Sequence, residues 1–551
     1  MPCATTCLTL MTQMYTKFRS ALLSYISKIS SQQAFKPWHL LLLSFIGAYG
    51  INLLIPRDLW VQDEMRYGEV VREMLHSGNW LVMHLNGYTY PDKPALYFWL
   101  VALIGKFVGQ GEFAFRLLTF ISTLIAGLGL YQLGNRLLGK NDGFLACLLF
   151  GSSLLTLIVG QIARMDMLLT ASTVWAWFYL LEFDRSENRQ HLVYYWAICT
   201  LSVAIKGPIA VLFTLLPGIL WQIQTHSAKG ILRLRPWYGV LAMAAMVLAW
   251  IIVVFQSGSG DYLAQIWHQQ LVGRTINSWS HKQPIYFYGV LLPLLVMPWA
   301  VPIFIGFKQL WSEPDPFLRS IWLFALVPLI AISLVSGKLF IYLQPLIPAL
   351  CLGGAYALSK YFPQQKISAW LAWPPVIYSV GLAALLYIVS TRYLGANAHK
   401  GIGLSIGVGA IACVQIYATR LRFYRWLFAT IGCTIVFSCL VFGGMVTLLN
   451  PLFSARQLAN AVNSLATPAQ DVAVINVTRG ILNYYAKRTF VELDVTKTHA
   501  WASQHHDAVL IIKTDDIPVA FSNTNISQRC DVMLPFSVEL KDYYVLAKCK
   551  L

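Results

Sequence analysis

The amino-acid sequence predicts an α-helical membrane protein that crosses the bilayer many times and carries a small α/β domain at its carboxyl terminus. Of its 551 residues, 57% are hydrophobic and only 12% are charged, whereas soluble domains carry about 25% charged residues. The mean hydropathy is +0.58. Apolar stretches of roughly 18 residues or more, long enough to span a membrane, recur along the chain. After residue 450 the pattern changes to short mixed segments typical of an α/β fold.

The net charge of +17 is explained by membrane orientation better than by nucleic acid binding. Basic residues fall in short loops between apolar segments, and every loop placed inside is basic when the amino-terminal tail is inside. The chain then divides into a cytoplasmic tail, a transmembrane domain and a soluble periplasmic α/β domain. These three expected parts span residues 1–37, 38–449 and 450–551.

About thirteen segments have the length and apolarity of a membrane-spanning helix. They cover 38–55, 113–135, 143–162, 167–184, 192–205, 208–224, 237–255, 286–306, 319–335, 339–358, 370–390, 402–418 and 426–448. Residues 95–108 are apolar but short, and counting them as a crossing would move most later basic loops outside. We therefore expect an interfacial helix there, within the first of two external loops at about 57–110 and 256–285.

The carboxyl-terminal segment predicts an amphipathic helix followed by strands. The helix covers 454–465, with Ser454 as its N-cap. Strands are expected at 472–477, 490–493, 508–513 and 543–547. Cys530 and Cys549 lie in this segment, where an external location would permit oxidation. The sequence leaves open whether they form a disulfide.

Polar residues of the otherwise apolar chain cluster on the side of the membrane that the charge rule assigns to the outside. Charged groups beside an apolar boundary are costly without partners and are typically functional. Simpler explanations compete, since loop carboxylates are often just solvated, terminal lysines snorkel to the interface and an isolated histidine is seldom a metal ligand. The set comprises Asp63, Glu64, Arg66, Asp92, Lys93, Asp166, Lys206, His268, Arg274, Lys338 and Tyr342.

The order and spacing of these motifs resemble those of the C-type lipid-linked-sugar glycosyltransferases. The matching motifs are Asp63-Glu64-x-Arg66-Tyr67, Asp92-Lys93-Pro94, Ala163-Arg164-Met165-Asp166, Lys206-Gly207-Pro208 and Ser336-Gly337-Lys338-x-x-x-Tyr342. Within that superfamily the chain is most similar to the bacterial aminoarabinose transferases of lipid A, which are relatives of protein O-mannosyltransferases. It departs from them in having Asp92 where they have glutamate, and Gln270-Leu271 ahead of Arg274 where they have a Glu-His pair.

The resemblance implies transfer of a sugar, 4-amino-4-deoxy-L-arabinose, from undecaprenyl phosphate to lipid A at the periplasmic face of the inner membrane, by a monomer. By position, Asp63 would be the catalytic carboxylate and Asp166 its partner. The donor phosphate and the substrate would be bound by Arg66, Lys93, Tyr342, Lys338, Lys206, Arg274 and Glu64. Asp92 and His268 would be the candidate ligands of a divalent metal ion.

The residue types suit this chemistry on physical grounds as well. A phosphate that leaves a sugar carbon requires cations at its oxygens. A hydroxyl acceptor would require a general base such as Asp63, whereas a phosphate acceptor is already anionic and the carboxylate would orient it or stabilise the sugar cation. Both remain open, as does transfer to a protein or another glycan. A transporter or lipid flippase is the alternative outside enzymes, but such proteins bind near the bilayer midplane between repeated halves, and no repeat is evident.

Overall fold

The computed structural model describes residues 43–139, 142–257, 260–266, 282–361, 367–505, 507–516, 530–532, 535–538 and 542–549. The amino-terminal tail of residues 1–37 lies outside the described residues, and so do His268 and Arg274.

The described part of the chain is mainly helical from residue 43 to residue 465. Its helices are α1 (Leu43–Leu54), α2 (Gln62–Ser77), α3 (Leu96–Val108), α4 (Glu112–Leu137), α5 (Asp142–Ser152), α6 (Leu154–Val159), α7 (Asp166–Ser186), α8 (Arg189–Lys206), α9 (Val211–His226), α10 (Gly230–Arg233), α11 (Pro236–Gln256), α12 (Gly260–Ile266), α13 (Phe287–Leu295), α14 (Ala300–Trp311), α15 (Pro316–Leu334), α16 (Ile347–Tyr361), α17 (Ala369–Tyr393), α18 (Ala398–Ala418), α19 (Phe423–Ser438), α20 (Val446–Phe453) and α21 (Arg456–Leu465). A short hairpin, β1 (His84–Leu85) and β2 (Tyr88–Thr89), lies between α2 and α3.

Within the described residues, eight helical runs are long and apolar enough to cross a membrane. A ninth results if α13 and α14, which meet at 116°, count as one bent span. The protein is therefore a multi-span membrane protein, and the number of about thirteen crossings stays a prediction. The short apolar segment expected at 95–108 is the helix α3, and its position at the interface also stays a prediction.

The polar contacts of α7 show how the helices around it run. Lys206 at the end of α8 contacts Asp166, the first residue of α7. Trp221 of α9 donates its ring N–H to Asp184, near the last residue of α7, at 3.1 Å. Gly207, between α8 and α9, has a φ of +76°, a conformation that glycine adopts without strain. The chain thus turns back at Gly207. Asp166 and Lys206 lie together at the same end of α7.

From α21 onward the chain folds into an α/β unit, called here the carboxyl-terminal unit (residues 456–549). It adds the helices α22 (Asn483–Ala486) and α23 (Thr498–Gln504) to a mixed sheet. The strands are β3 (Val472–Ile475), β4 (Val491–Leu493), β5 (Ala508–Lys513), β6 (Cys530–Val532), β7 (Phe536–Val538) and β8 (Asp542–Cys549). Their order is β4-β3-β5-β8-β6, with β7 also paired to β8.

The strand predictions agree with β3, β4, β5 and β8 to within a few residues. The central strand β5 is buried along nearly its whole length, as expected for a strand covered on both faces. The helix predicted from residue 454 begins at Arg456, and the Ser454 hydroxyl accepts a hydrogen bond from the Arg456 N–H at 3.0 Å. The register pairs Cys530 with Cys549 across β6 and β8, but a disulfide between them stays untested.

Close approach of α14 and α16 depends on glycine, which yields a matched pair of stability variants. A Cβ at Gly306 would lie 1.8 Å from the Gly353 carbonyl oxygen, whereas one at Gly409 in α18 would meet nothing within 4 Å. We expect Gly306→Ala to force the helices apart and to lower the free energy of unfolding by about 1–3 kcal/mol. Gly409→Ala should leave it unchanged or raise it by up to about 1 kcal/mol. Thermal unfolding in detergent compares the two, and equal effects would contradict the packing argument.

Candidate active site

The first turn of α2 carries the carboxylate that the sequence singles out, Asp63. The chain enters the helix in an extended conformation at Val61, and Asp63 and Glu64 lie in the first turn. Acidic side chains are favoured there because free backbone N–H groups and the helix dipole make this end electropositive. The helix start therefore explains why adjacent carboxylates are tolerated, and their neighbours distinguish their roles.

One guanidinium joins the two carboxylates predicted to act together. Arg164 Nη1 lies 2.6 Å from Asp63 Oδ2, and Arg164 Nε lies 3.3 Å from Asp166 Oδ2. The Asp166 side chain is fully buried, whereas Asp63 keeps 25% of its side-chain surface exposed. Asp166 also binds the Lys206 ammonium group. The fold thus brings Asp63 and Asp166 to one place, and Asp63 is the more exposed of the two carboxylates.

Further cations and rings extend this ionic cluster on both sides. Arg66 lies 3.0 Å from Asp92 and 3.9 Å from Asp63, and its guanidinium lies over the Tyr90 ring at 5.3 Å. On the other side, the Lys206 ammonium group lies 4.7 Å from the centre of the Tyr342 ring. Acidic and basic groups therefore alternate from Asp92 through Arg66, Asp63, Arg164 and Asp166 to Lys206. We call these six residues the ionic chain.

The cations around Asp63 keep it ionised. Burial by itself would raise the pKa of this carboxyl group, but Arg164 first, and then Lys93, Arg66 and Lys206, lower it, and the net pKa lies below its ordinary value. Asp63 is therefore an anion at neutral pH and a weak base. The positive charge of Lys93 is among those that lower the pKa of Asp63, and its contact with the donor phosphate stays a prediction.

Glu64 has a different place from the one expected, and its assignment as a substrate ligand is corrected. Its side chain is fully buried. It accepts hydrogen bonds from both terminal nitrogens of Arg57, at 3.0 and 2.6 Å, and from the backbone N–H groups of Trp60 and Ala163, at 2.8 and 2.5 Å. Four donors leave no oxygen for a substrate. Glu64 instead ties the start of α2 to the loop that carries Arg164, and burial without such partners would be unfavourable.

The other predicted ligands are placed unequally. Tyr342 lies against Lys206 at the edge of the ionic chain. Lys338 is 4% exposed, and its ammonium group donates to the Gln283 carbonyl oxygen at 2.9 Å. Lys338 therefore joins its own segment to the segment that carries Gln283 and is not a member of the ionic chain. Arg274 lies outside the described residues, and its role stays a prediction.

The described residues do not fit the suggested divalent metal. Asp92, one of the two candidate ligands, is paired with the Arg66 guanidinium at 3.0 Å, and a metal cation there would face that positive charge. Among the residues that the structure describes, no group of three or more His, Cys, Asp and Glu side chains could hold a metal ion. His268 lies outside them.

Arg164 is the main residue that sequence reasoning missed. The motif Ala163-Arg164-Met165-Asp166 drew attention to its aspartate, yet the arginine contacts both carboxylates. The sequence did contain a signal for Arg164, because a cation near an acid at the tip of an apolar hairpin requires a partner. Arg57 gave a weaker signal, since nothing in its local sequence indicates that it pairs with Glu64.

The sequence and the fold of this chain are similar to those of known proteins. A family model described as "Dolichyl-phosphate-mannose-protein mannosyltransferase" matches residues 92–253. An undecaprenyl phosphate-alpha-4-amino-4-deoxy-L-arabinose arabinosyl transferase of Pseudomonas savastanoi pv. phaseolicola is 32% identical over 63% of this chain and 67% of that protein. A transferase with the same name from Pseudomonas fluorescens is 28% identical over 82% of this chain and 79% of its own length.

A solved structure has the same fold. The crystal structure of ArnT from Cupriavidus metallidurans bound to undecaprenyl phosphate superposes with a TM-score of 0.72, at 18% identity, over 93% of this chain and 97% of that one. Alignments with some other Pseudomonas relatives cover 60% and 65% of those proteins. The chain belongs to the family of undecaprenyl phosphate-aminoarabinose arabinosyl transferases, membrane glycosyltransferases of the C-type fold.

Proposed function

We propose that this protein transfers 4-amino-4-deoxy-L-arabinose from undecaprenyl phosphate to lipid A, and that the ionic chain is its active site on the periplasmic face of the inner membrane. Membership of the family, whose relatives are named for this donor, supports the transferred sugar and its lipid carrier. The single observation that supports the assignment of the site is the pair of contacts made by Arg164. These contacts join the partly exposed Asp63 to the buried Asp166 among further cations.

The cations of the site suit the departure of a lipid phosphate. The bond that breaks joins the sugar carbon to a phosphate oxygen, so negative charge grows on the leaving oxygens. Arg66, with 24% of its side chain exposed, and Lys93 are the cations assigned to that phosphate, with Tyr342 as a hydroxyl donor. Lys206 and Arg164 are engaged by Asp166 and offset its charge, so that the buried carboxylate does not repel the donor.

The protonation state of Asp63 favours an anionic acceptor. A general base works best when its pKa lies near the working pH, and the pKa of Asp63 is lowered instead. A phosphate oxygen of lipid A needs no deprotonation to attack the sugar carbon. Asp63 then orients the incoming group or stabilises positive charge on that carbon in a single displacement, with undecaprenyl phosphate as the leaving group. The lowered pKa of Asp63 therefore favours a phosphate of lipid A as the acceptor over a hydroxyl group on a protein or another glycan.

The first prediction concerns the charge of Asp63. We expect Asp63→Asn to lower kcat by about 100-fold or more, because the neutral amide cannot stabilise the sugar cation. Transfer is measured with purified protein in detergent, undecaprenyl phosphate-linked aminoarabinose and lipid A, by mass spectrometry of the lipid product. Asp471→Asn is the matched control, since Asp471 lies exposed in the carboxyl-terminal unit, and it should keep full activity.

Two outcomes of this experiment separate the parts of the proposal. Wild-type protein that transfers no sugar to lipid A would overturn the proposed function. Wild-type protein that does so, together with an equally active Asp63→Asn variant, would keep the function and remove Asp63 from its assigned role.

A second prediction follows from the ion pair between Arg164 and Asp63. Because Arg164 is the foremost group that lowers the pKa of Asp63, Arg164→Gln should raise that pKa. Activity that needs the carboxylate would then be lost at a higher pH on acidification than in the wild type, where the loss lies below the ordinary aspartate pKa of about 3.9. The measurement is kcat/KM against pH, scaled to its own plateau for each variant.

Arg164→Lys serves as the control for this pH profile, because it keeps the positive charge beside Asp63 and should stay close to the wild-type profile. An acid limb at the same pH in Arg164→Gln and in the wild type would contradict the electrostatic role of Arg164.

A further inference from the structure

The segment that leads into α2, called here the entry segment (residues 57–61), is held from the side of the carboxyl-terminal unit. The Leu59 side chain is fully buried, and its backbone N–H donates to the Tyr485 hydroxyl at 2.7 Å. An extended segment has no helical partner for such an N–H, so the tyrosine satisfies a donor that would otherwise be buried and unpaired. Tyr485 belongs to α22, more than 400 residues further along the chain.

A second contact from the same unit lies beside the first. Arg456 Nη2 and Nε lie 2.8 and 3.0 Å from Asp58 Oδ1, and the Arg456 guanidinium lies over the Tyr485 ring at 4.5 Å. Arg456 also binds Glu112, the first residue of α4. One arginine therefore joins the entry segment, the start of a membrane helix and the carboxyl-terminal unit.

The opposite side of the entry segment is held by Glu64. Arg57, the first residue of the segment, forms the two hydrogen bonds to Glu64 described above and a third to the Gln161 carbonyl oxygen at 3.2 Å. Glu64 in turn binds the N–H of Ala163, the residue before Arg164. A displacement of the entry segment would thus move Asp63, the neighbour of Glu64, relative to Arg164.

The last helix of the membrane domain also contacts the entry segment, because Asn450 Oδ1 accepts hydrogen bonds from the Asp58 N–H at 3.0 Å and from the Trp60 ring N–H at 2.6 Å, and the Trp60 ring stacks on Phe453. A cavity of about 600 Å³ lies between α2, the start of α4 and the carboxyl-terminal unit, with Gly68, Val71, Phe115 and Tyr485 among its lining residues. Contact between the unit and α2 is therefore incomplete at this cavity, and Tyr485 and Arg456, which line it, supply the polar contacts to the entry segment.

We propose that the carboxyl-terminal unit positions the Asp63 carboxylate, with Tyr485 and Arg456 as positioning residues that act through the entry segment. Neither residue belongs to the ionic chain. The unit would hold the start of α2 so that Asp63 meets Arg164, while Glu64 secures the same segment from the membrane domain. This inference rests on the proposed function for its kinetic test but not for its structural test.

The kinetic test compares neighbouring tyrosines in the full-length protein. Tyr485→Phe removes only the hydroxyl that binds the Leu59 N–H, and we expect kcat to fall by about 10- to 100-fold, because small misplacements of a reacting group are costly. KM for the undecaprenyl-linked donor should change less than about twofold, since the phosphate-binding cations are untouched. Tyr484→Phe, the adjacent tyrosine of α22, is the matched control and should keep the wild-type kcat.

Arg456 supplies an independent pair of variants. Arg456→Gln should lower kcat in the same way, and Arg456→Lys should restore a part of it because the positive charge beside Asp58 is kept. Equal kcat and KM values for Tyr485→Phe, Arg456→Gln and the wild type would overturn the proposal.

The structural test needs no activity. Hydrogen–deuterium exchange of the intact protein should show faster exchange in residues 57–66 for Tyr485→Phe than for Tyr484→Phe, with the two variants alike in the membrane helices. If the wild type transfers no sugar, the proposed function fails and this comparison still decides the positioning role. Unchanged exchange in residues 57–66 would overturn that role, and faster exchange throughout both the unit and the membrane helices would reveal general unfolding and overturn it as well.

Discussion

The structure of the site depends on the pairing of buried charge. Asp166 is fully buried at the end of an apolar helix pair, and an ionised carboxylate in such surroundings is strongly unfavourable without partners. Lys206 and Arg164 both bind it, and Arg164 has a second contact left for Asp63. The need to stabilise one buried anion therefore also sets the position of Asp63.

Two adjacent acidic residues illustrate how neighbours divide roles. Asp63 is partly exposed among cations, whereas Glu64 is buried and fully occupied by hydrogen bonds from Arg57, Trp60 and Ala163. The Asp63 side chain stays partly exposed, whereas the Glu64 side chain secures the backbone next to it. The division follows from the helical geometry, since consecutive residues of a helix point about 100° apart.

The membrane domain and the carboxyl-terminal unit share one apolar core, and polar contacts at the start of α2 add to it. A membrane helix bundle packs closely through small residues, as at Gly306 and Gly353. The contact with the carboxyl-terminal unit adds hydrogen bonds that join Arg456 and Tyr485 to the entry segment, and Asn86 to the backbone of Phe490. Directional polar contacts suit this place because they specify the position of a segment, whereas apolar contacts mainly exclude water.

The sequence by itself determined the class of fold, the α/β pattern of the last hundred residues and the residue types of the site. Apolar length, charge asymmetry and strand periodicity are local properties that physical chemistry constrains strongly. Tertiary structure alone decided that Arg164 joins Asp63 to Asp166. It also decided that Glu64 binds Arg57 and Ala163. Finally, it decided that the Lys338 ammonium group binds the Gln283 carbonyl oxygen. These pairings join segments distant along the chain, and many pairings of opposite charge are equally compatible with one sequence until the packing of the helices brings particular side chains within hydrogen-bonding distance.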